Sequence, residues 1–289
     1  CSHFFTESLM GAPHRRRFRK LHNPAQLSRR SFLKGSALAL SAPLLNACGS
    51  SDTPELGGPT PAPGAPGIPA APTMAAFLHG VASGDPLADR VILWTRVTVD
   101  AATVTAATPV LVQYVMSLAT DLSAPVQRGS FITGAERDYT VKLDPTGLAS
   151  YTSYYYQFSV TLADGMVIRS PIGRTKTAPK AGDTERLRIV STSCQNYSFG
   201  FFNPLGAIAA KAADLDLMLF LGDYIYETGG ASNVDGRDHF PANEIISLSD
   251  YRGRHAQYKT DPDLQACHKQ LAYIAVWDDH ETTNNSYRA

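Results

Sequence analysis

The chain has 289 residues, with 26 basic and 26 acidic side chains, and this length has room for about two folded domains. Its balanced charge gives no evidence of a nucleic-acid-binding surface, which would need a basic face, and no apolar run reaches the roughly 20 residues that span a bilayer. The four cysteines form neither a paired zinc pattern nor a disulfide scaffold.

Residues 1–48 are interpreted as an export signal. Basic residues dominate 12–34, and a short apolar stretch follows at 37–47, which is the order found in signal peptides. The pair Arg29 and Arg30, followed by Phe32, resembles the twin-arginine motif of bacterial proteins that are exported already folded. This predicts passage through the twin-arginine translocase to the periplasm, the cell surface or the medium.

The signal region ends in a sequence that resembles a lipoprotein box, in which Cys48 would be acylated after cleavage. The alternative is an ordinary cleavage site with an unmodified cysteine, because Asn46 departs from the small residue usual at its position. Residues 49–73 are rich in Pro, Gly, Ala and Ser, so they cannot bury a core and are predicted to form an extended linker. Such a linker would suit a lipid-anchored protein.

Residues 74–180 are predicted to form an antiparallel β-sandwich of the fibronectin or immunoglobulin type. Strand signals recur at 90–97, 110–116, 139–143 and 154–162, with alternating apolar and polar residues and turn residues between them. The segment leading into Tyr154 and Tyr156 resembles the tyrosine corner of these domains, in which a tyrosine hydroxyl ties the chain back on itself.

Residues 185–289 are predicted to form the first part of an α/β domain. Three apolar strands, in 187–194, 216–227 and 271–281, each end in residues suited to metal binding or proton transfer. Their lack of polar alternation predicts strands buried on both faces of a helix-covered parallel sheet. Since ligands bind beyond the carboxyl ends of such strands, the three clusters are expected to converge.

The second cluster contains Asp223 and, three residues later, Tyr226. A carboxylate can bridge two cations, and a phenol can bind a hard ion such as Fe³⁺ as the phenolate. The alternative is an aspartate that caps a helix beside a core tyrosine. At the end of the first strand, Cys194 is either a thiolate ligand or a small core residue, and its place at the mouth of the sheet favours the ligand.

The third cluster supplies the candidate catalytic pair, Asp279 and His280. Asp279 could bind a second metal, and the imidazole of His280 has a pKa suited to proton transfer near neutrality. Asn284 and Asn285 add neutral oxygen ligands of the kind that Ca²⁺ accepts. A solvated acidic turn is the alternative, but the apolar strand ending at Trp277 disfavours it.

Taken in order, the motifs around Cys194, 222–227 and 278–285 resemble the PhoD-type alkaline phosphatases. These enzymes are relatives of the purple acid phosphatases in the metallophosphoesterase superfamily. The resemblance also includes the export leader and the two ends of the sandwich, at 77–86 and 173–179. It therefore extends over almost the whole chain.

The resemblance implies a site for one Fe³⁺ with Ca²⁺, in which Cys194, Asp223 and Tyr226 match metal-ligand positions. Asp279 stands where the wider superfamily places an asparagine that binds the second metal. The implied activity is hydrolysis of phosphate monoesters or diesters by a metal-activated water. Because the chain begins with Cys1 and stops at Ala289, we expect both ends to be cut and the catalytic domain to be incomplete, with further metal ligands downstream.

Two alternatives stay open. One is a phosphodiesterase or phospholipase D-like enzyme acting on lipid headgroups, teichoic acids or nucleic acids, because the resemblance does not separate monoesters from diesters. The other is a tethered surface-binding lipoprotein whose catalytic half is inactive. A pure binding protein has no need for Cys194, Asp223, Tyr226 and Asp279 together, and this favours the enzyme.

Overall fold

The computed structural model of the chain describes residues 69–286. Its strands are β1 Ala75–Ala76, β2 Val81–Gly84, β3 Ile92–Arg96, β4 Thr98–Val99, β5 Val110–Ser117, β6 Pro125–Thr133, β7 Thr140–Leu143, β8 Ser153–Thr161, β9 Val167–Arg169, β10 Gly173–Lys176, β11 Ile189–Thr192, β12 Leu217–Phe220 and β13 Ala272–Ala275. Its helices are α1 Ala101–Thr105, α2 Asn203–Ala209, α3 Leu248–Tyr258 and α4 Pro262–Gln270.

The predicted export signal at 1–48, with Cys48, and the linker up to residue 68 lie outside the described residues. Within 69–286, none of the helices has the length and apolar character needed to cross a bilayer.

The first half of the described chain forms a β-sandwich, as predicted. One of its sheets has the order β10-β8-β5-β6, with β9 also pairing with β8, and all of these pairs are antiparallel. Along β8, Tyr154, Tyr156, Phe158 and Val160 are buried and alternate with partly exposed residues. This period of two places every second side chain in the core.

The predicted tyrosine corner is present at Tyr154. Its hydroxyl accepts a hydrogen bond from the backbone N–H of Ala149, at 2.8 Å, so the chain before β8 is tied to the strand itself. The second candidate, Tyr156, does not play this part, because its buried hydroxyl has no hydrogen-bond partner.

The second sheet joins the sandwich to the α/β region. Its order is β11-β12-β13-β2-β3-β7. The pairs β11–β12, β12–β13 and β13–β2 are parallel, whereas β2–β3 and β3–β7 are antiparallel. The described residues, 69–286, all belong to one compact unit, and the predicted division between 74–180 and 185–289 stays a prediction.

The prediction that the parallel strands are buried on both faces is wrong for the described residues. Met218 and Phe220 of β12 are buried in a cluster that includes Leu205 of α2 and Leu264 of α4. The opposite face is open at β13, where Ile274 is 36% exposed. The helices α2 and α4 contribute to the core on the first face.

A charged contact links β3 to the turn before β7. The guanidinium of Arg96 holds Asp138 through two hydrogen bonds of 2.8 and 2.9 Å, and its third nitrogen lies 3.3 Å from the ring of the buried His79. Burial of the imidazole, followed by the charge of Arg96, lowers the pKa of His79 to about 4. The folded protein therefore keeps this ring neutral.

We predict that His79 makes the fold sensitive to acid. An unfolded histidine has a pKa of about 6.5, so between about pH 6.5 and 4 the unfolded chain binds a proton that the folded chain does not. Stability should therefore decrease as the pH falls through this window, by up to about 3 kcal/mol from this group. Urea unfolding at both ends of the window should show a smaller loss for His79→Gln than for the wild type. Parallel losses in the two proteins would contradict the prediction.

Candidate metal centre

The three predicted clusters meet at one edge of the second sheet. Since β11, β12 and β13 are parallel neighbours, their carboxyl ends lie side by side. The loops that follow are bonded to one another: the N–H of Cys194 donates to Gly222 O at 3.1 Å, and that of Gln195 donates to Asp223 O at 3.1 Å. Cys194 and Asp223 both adopt positive φ angles, 58° and 56°, which turn the chain sharply after each strand.

Gly222 allows two of these loops to approach each other. Its φ angle is +99°, and a Cβ atom there would lie 2.5 Å from Cβ of Asp278. Only glycine therefore fits without displacing the loop that carries Asp279 and His280.

We predict that Gly222→Ala destabilises the fold more than a glycine substitution that imposes backbone strain alone. Gly165→Ala is the matched control, because Gly165 has a φ of +86° and an added Cβ would meet no atom within 4 Å. The control should lose about 1–2 kcal/mol, and Gly222→Ala a further 1–3 kcal/mol, roughly, from the clash. Denaturant unfolding measures both values. Equal losses would mean that the close approach is not maintained in solution.

Asp223 lies at the middle of the site and is 6% exposed. Its Oδ2 atom accepts a hydrogen bond from the Tyr226 hydroxyl at 3.0 Å and lies 3.5 Å from Sγ of Cys194. Its Oδ1 atom is buried and has no hydrogen-bond partner. Buried carboxylate oxygens are rarely left bare, so this atom has the properties of a cation ligand.

Asp279 and His280 approach the same point from the third loop. One ligand atom from each of Asp223, Asp279 and His280 lies within 4.8 Å of the others. The rings of Tyr226 and His280 are in contact, with centroids 4.1 Å apart. The candidate catalytic pair and the metal-ligand candidates from the first two strands thus form one cluster.

Asn284 and Asn285 are placed differently. Both are exposed, and their backbone N–H groups are the atoms that bond within the site, to Glu227 and to the Asp279 carboxylate respectively. Their side chains have no described contact with the cluster, so their assignment as Ca²⁺ ligands stays a prediction.

Two buried glutamates that the sequence analysis did not assign hold the site together. Glu227, 1% exposed, lies 2.7 Å from Nδ1 of His280 and accepts the N–H of Asn284 at 2.6 Å. Glu281, 8% exposed, accepts backbone N–H groups from Asp223, Tyr224 and Asp278. Each glutamate therefore joins the second loop to the third.

The sequence offered one indication that these glutamates belong to the site, which is their closeness to the predicted motifs. Glu227 follows Asp223 by four residues, and Glu281 follows His280 directly. The sequence could not show that both are buried.

The electrostatics of the site favour a charged histidine and a neutral tyrosine. Burial opposes a proton on His280, but the hydrogen bond and charge of Glu227 outweigh it and raise the pKa of the imidazole. Burial, together with the hydrogen bond to the Asp223 carboxylate, raises the pKa of the Tyr226 hydroxyl. Without a cation, Tyr226 therefore keeps its proton, and a phenolate there requires a strongly positive ligand.

Comparison with known protein families agrees with this geometry. The family model for PhoD-like phosphatases matches residues 189–289, and the model for the N-terminal domain of PhoD-like phosphatases matches residues 63–179. Together they match more than half of the chain. The chain belongs to the PhoD-like phosphatase family. This confirms the family inferred from the motifs around Cys194, 222–227 and 278–285.

Among known proteins, alkaline phosphatase D of Bacillus subtilis (strain 168) is 37% identical to this PhoD-like chain over 227 residues, which are 75% of the chain and 38% of that protein. A solved structure of PhoD matches with a TM-score of 0.64 and 36% identity, covering 76% of this chain and 41% of the other. A purple acid phosphatase from yellow lupin seeds matches with a TM-score of 0.44 and 15% identity, covering 73% of this chain and 36% of the other.

The predicted fold class, an all-β sandwich followed by a metallophosphoesterase-like α/β domain, is confirmed by the match to PhoD. The chain spans only about two fifths of the length of the PhoD-like relatives described above, at 38% and 41%.

Proposed function

We propose that this protein is a metal-dependent phosphoesterase that hydrolyses phosphate monoesters, diesters or both. The observation that carries the proposal is the buried Asp223, whose Oδ2 faces Cys194 and Tyr226 and whose Oδ1 has no partner. A structural aspartate at this depth would be expected to have both oxygens paired. The family match supports the same conclusion.

The donor set suits the two cations that the family resemblance implies, Fe³⁺ and Ca²⁺. Cys194 and Tyr226 would offer a thiolate and a phenolate to the ferric ion, and Asp223 would offer its carboxylate to the metal pair. Asp279, with Asn284 and Asn285, offers the oxygen ligands that Ca²⁺ prefers. When bound, the metal pair would supply Lewis acidity towards the phosphoryl group and an activated water.

The remaining chemistry belongs to the chain. Glu227 accepts a hydrogen bond from Nδ1 of His280 and, through this bond and its charge, raises the pKa of the imidazole. This leaves Nε2 to donate a hydrogen bond to a phosphate oxygen or a proton to the leaving alcohol. Glu281 fixes the backbone of Asp223 and Asp278, so it keeps the second and third loops in register. Phosphoryl transfer depends mainly on such positioning and on charge.

We also propose export by the twin-arginine route and a location outside the cytoplasm, with Cys48 as a lipid anchor. The support is the order of basic and apolar residues in 12–47 and the position of Cys48 before the linker. A protein that acquires its metal before export would gain from a route that carries folded proteins. The substrates would then be phosphate esters outside the cytoplasm.

The test uses the full-length gene product with p-nitrophenyl phosphate and bis-p-nitrophenyl phosphate, before and after chelation and with Ca²⁺ restored. We expect cleavage that chelation abolishes and Ca²⁺ restores, and the ratio of the two rates assigns monoester or diester preference. Protein shown to contain iron and calcium that cleaves neither ester would overturn the proposal in favour of a surface-binding lipoprotein.

The ferric site has its own test in Tyr226→Phe. Loss of the phenolate should remove the visible colour of a ferric–tyrosinate pair and reduce bound iron, while Tyr155→Phe in the sandwich should change neither. Retention of iron and colour by Tyr226→Phe would show that Tyr226 is not a ligand.

A further inference from the structure

Two large apolar side chains lie exposed beside the candidate metal centre. Phe199 is 69% exposed and Phe201 is 57% exposed, although phenylalanine is among the residues most often buried. Both lie in the loop between β11 and α2, a few residues after Cys194. Exposed apolar side chains that cluster in one place often mark a binding surface or a ligand-binding groove.

The two rings form one wall of a cleft of about 280 Å³. Pro204 and Leu205 extend this apolar wall, and Cys194 and Tyr226 lie in the lining of the same cleft. Both of these residues contact Asp223. The cleft is therefore continuous with the candidate metal centre, and a group bound in it would lie next to a phosphate held there.

The apolar wall is supported from behind by Arg237, which is 4% exposed. Its guanidinium lies 3.7 Å from the ring centre of Tyr197 and 4.8 Å from that of Phe201. The same guanidinium is fixed by Asp261 at 2.9 Å and by the carbonyl of Tyr197 at 2.8 Å. Because the guanidinium is buried and fixed, it holds the ring of Phe201 in place. A ligand that binds here therefore loses less free energy to the ordering of this side chain.

We propose that this cleft binds the organic group of the phosphate ester and makes the enzyme selective for esters with an aromatic or comparably compact apolar group. The inference rests on the proposed function, because it requires the phosphate to lie at the Asp223 cluster. The volume is close to the lower end of the roughly 300–1,000 Å³ of small-molecule sites. It therefore fits a single ring or a short branched chain.

The test measures binding, so it does not depend on turnover. The metal-loaded full-length gene product is titrated calorimetrically with phenylphosphonate and with methylphosphonate, which share the anionic group and differ in the apolar one. An aromatic contact adds to the affinity beyond the area it buries, so the wild type should bind phenylphosphonate about tenfold more tightly, a difference of about 1.4 kcal/mol. Phe199→Ala/Phe201→Ala should lose most of this preference and keep its affinity for methylphosphonate.

Phe240→Ala is the matched control, since Phe240 is 65% exposed and lines a different cavity. It should keep the wild-type preference. If the double variant retains the preference, or the wild type binds both phosphonates equally, the cleft is not the site of the organic group and the proposed function still stands. If metal-loaded protein binds neither phosphonate, the proposed function and this inference are both overturned.

Discussion

Asp223→Asn is expected to remove metal-dependent hydrolysis, lowering kcat/KM on the order of 10³-fold. The substitution keeps the shape of the side chain, and asparagine tolerates the positive φ angle of 56° at this position. It removes the negative charge that both cations would share. Metal ions contribute several kcal/mol of transition-state stabilisation. Since about 1.4 kcal/mol is a factor of ten in rate, the loss of this term gives the expected 10³-fold decrease, roughly.

Metal analysis and kinetics on the full-length gene product should show the loss of at least one bound metal together with the loss of rate. Asp164→Ala, in the turn between β8 and β9, is the control for removal of an exposed carboxylate and should match the wild type. An Asp223→Asn variant that keeps both metals and full activity would show that the carboxylate is not a ligand.

Much of the fold followed from local patterns. The period-two alternation along β8 was enough to predict the sandwich, because one face of that strand packs on the core and the other does not. The apolar runs of β11, β12 and β13 were enough to predict parallel strands whose carboxyl ends meet. Cys194, Asp223 and His280 lie near one another because they follow directly after those ends.

The pairing of distant strands was beyond the reach of local patterns. β13 pairs with β2, so Ala272 lies opposite Ser83 although the whole sandwich separates them in sequence. Nothing in the residues of β2 distinguishes a sandwich strand from a strand that extends the parallel sheet. The same limit led to the wrong expectation of burial on both faces, since a run of apolar residues does not show which neighbours cover it.

The roles of Glu227 and Glu281 were also hidden in the sequence. Acidic residues beside Asp223 and His280 suggest either more ligands or a solvated turn, and the structure shows neither. Both carboxylates are buried, and their oxygens accept hydrogen bonds from backbone N–H groups and, for Glu227, from His280. Such positioning residues depend on tertiary burial, which spacing along the chain does not encode.

Asp261→Ala should cause the largest loss of stability of any substitution considered in the described residues. Asp261 is 2% exposed and caps α4 by accepting the N–H groups of Asp263 and Leu264 through Oδ1, while Oδ2 binds Arg237. Loss of the cap costs about 1 kcal/mol. Leaving the Arg237 guanidinium buried without its counter-ion costs about 3–5 kcal/mol, and one of its nitrogens already lacks a partner.

Denaturant unfolding should therefore show a loss of at least about 4 kcal/mol for Asp261→Ala. Asp261→Asn should lose less, because asparagine can still cap the helix. Asp89→Ala should lose less than about 1 kcal/mol, because its ion pair with Arg90 is exposed. Because Arg237 also supports the ring of Phe201, Asp261→Asn should weaken the preference for phenylphosphonate in protein that remains folded. An unchanged preference would show that this buried ion pair stabilises the fold but does not order the cleft.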